Sequence, residues 1–172
     1  SQSIDLICQI HAVAEFLNLH LNSTIITKAN ELKDLGVKID ENLKFTSHMN
    51  HVVAMASVRA CLIRKCFVSK DVPTLIRAFK TYVRPILEYA FCVWSPSYTT
   101  AIKLIESVQR KFTKRLPGYA LVSYKERLQR LGLESLEMRR LRCDLLYTYK
   151  IVFGLTSEAA RNMFTLTSSL YS

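Results

Sequence analysis

Glycine and proline are so scarce in this chain that long helices must carry most of the fold. Among 172 residues there are four of each, which leaves few places where the backbone can reverse tightly. The apolar residues agree with this. Over most of the sequence they recur at steps of three and four, the period that collects one face of an α-helix.

The helical period begins near residue 46. Thr46 or Ser47 is placed to cap a helix running to about Cys66, with Val52, Val53, Ala56, Ala60 and Ile63 on one face. Ser69 or Asp71 caps the next, whose stripe is Val72, Leu75, Ile76, Phe79, Tyr82 and Val83. Pro85 kinks or ends that helix near Arg84, because its ring collides with the preceding turn and it has no N–H to donate. In the apolar stretch that follows, Tyr82, Leu87, Tyr89 and Trp94 are assigned to the core, and Arg84 and Glu88 stand four apart as an ion pair if the helix survives. Ser95-Pro96-Ser97 breaks the pattern.

A third helix starts at Thr99 or Thr100 and aligns Ile102, Ile105, Val108, Phe112 and Leu116, ending at Pro117-Gly118. Ser123-x-x-Glu126 is a capping box for a short helix to Leu131, closed by Gly132. Ser135 opens the last helix, with Met138, Leu141, Leu145 and Val152 as its expected buried stripe and Gly154 as its stop. Before residue 46, residues 4–17 read as a short helix, Leu19 to Ile26 as a strand with Asn22-Ser23 as a turn, and Leu35 to Ile39 as a second strand closed by Asp40-Glu41-Asn42. The expected fold is mainly α: a small β-hairpin followed by a bundle or array of about five helices. A Ser/Thr-rich tail after Gly154 is expected to be weakly ordered.

Charge narrows the partner. Residues 101–172 hold 13 Lys and Arg against 6 Asp and Glu, a net of +7, whereas residues 1–100 carry only +3. A basic excess gathered in one half suits a polyanion such as nucleic acid, and the plainer alternative is a solvated basic face. The five cysteines show no paired spacing and several sit among apolar neighbours, which fits a reducing, intracellular compartment, nuclear or cytoplasmic rather than secreted. No apolar run approaches a membrane span, so no membrane partner is expected. A first residue other than Met fits a fragment.

Five motifs then appear in order: Lys33-Asp34-Leu35-Gly36-Val37 with Leu43-x-Phe45-x-x-His48; Tyr82-Val83-Arg84-Pro85-Ile86-Leu87-Glu88-Tyr89-Ala90 with Val93-Trp94-Ser95-Pro96; Ile105 through Leu116; Tyr124-x-x-Arg127-Leu128-x-x-Leu131; and Leu136-Glu137-x-Arg139-Arg140. Over about residues 22–153 this series resembles the part of jockey-like LINE-type (non-LTR) retrotransposon reverse transcriptases that follows the catalytic motif. The resemblance implies an RNA-directed DNA polymerase parent divided as a palm-edge hairpin at 19–40, a thumb-like helical domain at 41–116 and a helical extension at 117–172, with residues 1–18 an N-terminal helix outside the family pattern. It also implies a primer-grip-like role for Leu35, Gly36 and Val37, where glycine lets backbone approach a strand closely.

Polymerisation requires acidic residues that hold two metal ions, in that family a Tyr/Phe-x-Asp-Asp turn. No Asp-Asp occurs here. The chain is therefore expected to be inactive alone, with no cofactor of its own; magnesium belongs to the parent polymerase, whose palm and fingers would be the missing partner. RNA or RNA–DNA duplex is the expected ligand, and Gln109, Arg110, Lys111, Lys114, Arg115, Arg139 and Arg140 are the candidate phosphate contacts. His48-x-x-His51 has the spacing of two metal ligands on one turn, yet no further Cys or His completes a set, so local hydrogen bonding or solvent is the assignment. Trp94 is assigned to the core rather than to base stacking. The alternatives are a helical protein–protein interaction module and a non-functional relic.

Overall fold

The computed structural model describes residues 20–21, 24–25, 29–96 and 98–155. The expected helix within residues 1–18 and the tail beyond Leu155 lie outside the described residues. The fold is mainly helical, with antiparallel strand pairs preceding the helices.

The strand region departs from expectation in its pairing. β1 (His20–Leu21) pairs with β2 (Thr24–Ile25), and separately β3 (Glu31–Asp34) pairs with β4 (Val37–Asp40). Among the described residues of 19–40 there are thus two separate antiparallel strand pairs, not one. Leu35-Gly36 is the two-residue turn between β3 and β4, with φ of +44° and +88°. Two successive positive φ values match the twist of a tight hairpin. Leucine seldom adopts that conformation, which hid the turn in the sequence. After it, Val37 and Ile39 face the core and Lys38 does not, the two-residue period of a half-buried strand.

The Asp40 carboxylate organises the way out of β4. It accepts the backbone N–H groups of Asn42 (3.1 Å), Lys44 (3.0 Å) and Phe45 (2.7 Å). The chain then enters α1 (Thr46–Cys66) from a left-handed Phe45 with no side-chain cap, so neither Thr46 nor Ser47 caps it. Val52, Ala56, Ala60 and Ile63 of α1 are buried as expected. Asp71 caps α2 (Val72–Tyr82), accepting from the Thr74 N–H at 3.0 Å and the Thr74 hydroxyl at 2.6 Å. Pro85 has the anticipated effect: α2 stops at Tyr82, and the proline sits in the first turn of α3 (Arg84–Glu88), where a missing N–H costs nothing. α4 (Phe91–Trp94) follows through a left-handed Ala90.

This interruption changes which aromatics face inward. Leu87 and Trp94 are buried, and the Trp94 indole donates to the Tyr89 carbonyl at 2.7 Å. Tyr82 and Tyr89, both assigned to the core from sequence, are 54% and 55% exposed. Tyr82 ends α2, and once Leu87 fixes the inward face of α3, Tyr89 points away.

α5 (Thr99–Lys114) supplies Ile105, Val108 and Phe112 to the interior, with Leu116 just beyond its end. Phe112 stacks on Phe79 of α2 with ring centroids 4.6 Å apart. α6 (Tyr124–Leu131) begins at Ser123, whose hydroxyl accepts the Glu126 N–H, and closes on a left-handed Gly132. α7 (Leu136–Val152) begins at Ser135, which accepts the Met138 N–H at 3.1 Å. One hydrophobic cluster runs from Val37 through α1, α2 and α5 to Leu133 and Leu136. It therefore continues across the expected border at residue 116.

α7 reverses the expected burial. Met138, Leu141, Leu145 and Val152 are exposed, and the buried residues are Leu136, Arg140 and Ile151. The helix meets the bundle through this second face, and none of the described residues covers the apolar one.

Candidate nucleic-acid interface

The basic residues of α5 fall into distinct surroundings. Lys111, Lys114 and Arg115 lie at spacings of three and four, which gathers them on one side of the helix. They line an open cavity of about 640 Å³ together with Arg64 from α1. A tighter cleft of about 50 Å³ between α1 and α5 shares Arg64, Lys111 and Arg115 and is floored by Ala60, Val108 and Phe112. Apolar packing of α1 on α5 thus sets four cations around one groove. Among the described residues no carboxylate comes within ion-pairing distance of any of the four. Arg64 was not among the sequence candidates; its place in the last turn of α1 was the only hint.

Arg110 stands apart from this groove. Its guanidinium lies over the Tyr124 ring, 4.6 Å from the centroid. Gln109 departs further from expectation, being 0% exposed. Its amide nitrogen donates to the Glu134 carbonyl at 2.9 Å and to the Tyr124 hydroxyl at 3.2 Å. Gln109 therefore ties α5 to the segment before α7 and is withdrawn from the phosphate contacts. The sequence held the signal: Ile105, Gln109 and Phe112 share a four-then-three spacing that sets Gln109 on the apolar face.

Glu106 is the centre of the same buried group. One carboxylate oxygen accepts the Tyr124 hydroxyl, and the other accepts the N–H groups of Leu136 at 2.9 Å and Glu137 at 3.3 Å. These are the first two donors of α7, so a side chain of α5 caps a helix 30 residues away. Negative charge at that position also suits the helix dipole. Burial, reinforced by the adjacent Glu106 carboxylate, pushes the Tyr124 hydroxyl well above the ordinary tyrosine range.

The arginines of α7 are committed elsewhere. Arg139 holds Glu88 in a two-pronged pair, Nε at 2.5 Å and Nη2 at 3.1 Å, and lies 3.9 Å from Glu134. The bond to Glu88 raises the Arg139 pKa further. Glu88 also meets Arg84 at 3.6 Å, the pairing expected from their spacing. Arg142 pairs with Glu134. Arg140 is 4% exposed, with its guanidinium 5.4 Å from the Phe91 ring centroid. Burial lowers its pKa, opposed by Glu106, Glu137 and Asp144. Arg139 and Arg140 therefore contribute to packing and do not join the α5 groove. Near the positive end of the helix dipole, Glu88 and Glu134 offset the charge of Arg139.

The Leu35-Gly36 turn is held by the Tyr89 hydroxyl, which donates to the Leu35 carbonyl at 2.8 Å. A Cβ on Gly36 would meet the Tyr89 ring at 3.8 Å, an ordinary contact, so the requirement for glycine comes from its φ. Leu35 and Gly36 are exposed, whereas Val37 belongs to the core. His48 is also a core residue. Its Nδ1 accepts the Lys38 N–H at 3.3 Å, and its ring meets Trp94 edge-on with centroids 5.0 Å apart. His51 is exposed, so the two histidines do not converge. Among the described residues no three His, Cys, Asp or Glu side chains gather to hold a metal, and no described helix is long and apolar enough to cross a membrane.

An uncharacterized protein of Caenorhabditis elegans is 28% identical to this chain over 123 residues, covering 70% of this chain and 62% of that protein. The chain thus spans less than two thirds of that relative's length. No family model matches the chain. No solved structure matches it either.

Proposed function

We propose that this chain is the hairpin, thumb and downstream helical part of a LINE-type reverse transcriptase, and that it grips RNA–DNA or RNA duplex through phosphate contacts of the α5 groove. The carrying observation is that Arg64, Lys111, Lys114 and Arg115 line one groove free of carboxylate partners among the described residues. Cations left unpaired in this way attract phosphates and carry no sequence information, as a surface that follows a growing duplex requires. The ordered motifs from Leu35 to Arg140 support the same parentage. Catalysis is assigned to a palm supplying the aspartates and magnesium that this chain does not provide.

Titrating the chain against labelled RNA–DNA duplexes of unrelated sequence tests this. Four phosphate contacts predict similar affinity for each duplex, with a slope of about −3.6 for log affinity against log salt. An affinity indifferent to salt contradicts the reading.

A second reading rests on the exposed stripe of α7, where Met138, Leu141, Leu145 and Tyr149 face solvent. An uncovered apolar face of this kind marks a protein contact. On that reading the chain is a helical interaction module, and reversing Lys111, Lys114 and Arg115 leaves its partner binding intact.

A further inference from the structure

A second basic cavity lies beside the first. It has a volume of about 480 Å³, with Ile76, Tyr119 and Leu131 among its apolar lining and Arg77, Lys80 and Arg130 as its cations. Arg77 and Lys80 come from α2 and meet no carboxylate within ion-pairing distance among the described residues, whereas Arg130 is shared with Glu126 at 2.6 Å. Apolar walls with an aromatic ring and a few charges match what a flat, anionic ligand needs.

The two cavities meet at one turn. Leu116 and Ala120 line the α5 groove, and Tyr119, between them in sequence, lines the second cavity. Three residues of backbone reach about 11 Å at most. That is about three stacked nucleotides at roughly 3.4 Å each. Gly118, with φ of +80°, shapes the turn, and no neighbouring atom crowds it.

We infer that the second cavity takes a single-stranded extension of the nucleic acid held in the α5 groove, with a base against Tyr119 and a phosphate between Arg77 and Lys80. This rests on the phosphate-binding reading of the groove and adds the class of substrate: a duplex with an unpaired end rather than a blunt one. A continuous duplex does not fit, because its bases are stacked on one another and cannot enter a pocket. An aromatic ring flanked by cations accepts an unstacked base of any sequence.

The experiment compares a blunt RNA–DNA duplex with the same duplex carrying a short single-stranded extension on each strand in turn. For one polarity the extension should tighten binding about tenfold, the gain that one base stacked on an aromatic ring supplies. Tyr119→Ala should remove that gain and leave blunt-duplex affinity unchanged. Because Tyr119 is half-buried, the pair Arg77→Gln and Lys80→Gln, which alters only the cations lining the cavity, provides an independent check and should also reduce the gain. Equal binding of blunt and extended duplexes overturns this inference alone. So does a gain that survives in the Arg77 and Lys80 variant. Failure to bind either duplex overturns the groove reading as well.

Discussion

α5 turns Ile105, Val108 and Phe112 into the core and leaves Lys111, Lys114 and Arg115 around an open groove. α7 turns Arg140 inward, commits Arg139 and Arg142 to Glu88 and Glu134, and leaves Met138, Leu141, Leu145 and Tyr149 in solvent. Both helices combine an apolar stripe with several cations, yet only α5 gathers three of them around one groove. The difference lies in what each helix packs against. α5 lies against α1 and α2, where an apolar face is required, whereas α7 meets Glu88, Glu106 and Glu134, so Arg140 is buried and Arg139 and Arg142 are drawn into ion pairs. An amphipathic pattern therefore identifies two faces, and the neighbours choose which is buried.

The largest expected effect falls on the inner face of α5. Phe112→Ala removes the ring stacked on Phe79 and should destabilise the chain by about 3–5 kcal/mol in chemical denaturation. A loss under about 1 kcal/mol would mean that this face is not the core.

Next comes the buried carboxylate that couples the two helices. Glu106→Ala leaves the Leu136 N–H and the Tyr124 hydroxyl without their acceptor, at a cost of roughly 2–3 kcal/mol. Amide exchange should speed up first at the start of α7. Unchanged protection there would show that Glu106 does not cap the helix.

A pH-dependent effect should be smaller. Burial holds His48 below its ordinary value of 6.5, with the charges of His51 and Lys38 acting the same way. The unfolded chain therefore takes up a proton near pH 6.5 that the folded chain refuses, and stability falls as pH drops below that point. His48→Gln keeps an acceptor for Lys38 and should flatten this part of the curve. A profile identical to that of the unaltered chain would place His48 in solvent.

The smallest effect belongs to the outer stripe of α7. Leu145, 63% exposed, should change stability by less than about 0.5 kcal/mol when replaced by Ser. A loss comparable to that of Phe112→Ala would mean that the stripe is covered in the folded protein and would erase the contrast between the helices.

Much of this was legible in the sequence where a local rule decides the outcome. Asp71, Ser123 and Ser135 cap as their types require, Pro85 ends α2, and Ile105, Val108, Phe112 and Leu116 of the α5 stripe are buried while Ile102 is only partly so. The Leu35-Gly36 turn was misread because leucine conceals a positive φ. Gln109 was misread although its spacing sets it on the apolar face, and Arg140 was misread because the Phe91 ring it packs over belongs to another element. The groove was half legible: α5 announced its cations, but only the packing of α1 brought Arg64 beside them.

The most direct measurement compares the salt dependence of duplex binding in two variants. Lys111→Gln with Lys114→Gln should reduce the slope of log affinity against log salt by about 1.8, close to 0.9 for each contact removed. Arg139→Gln with Arg142→Gln should leave the slope unchanged. Equal reductions in both variants would contradict the account, because the α7 arginines would then be holding phosphates too.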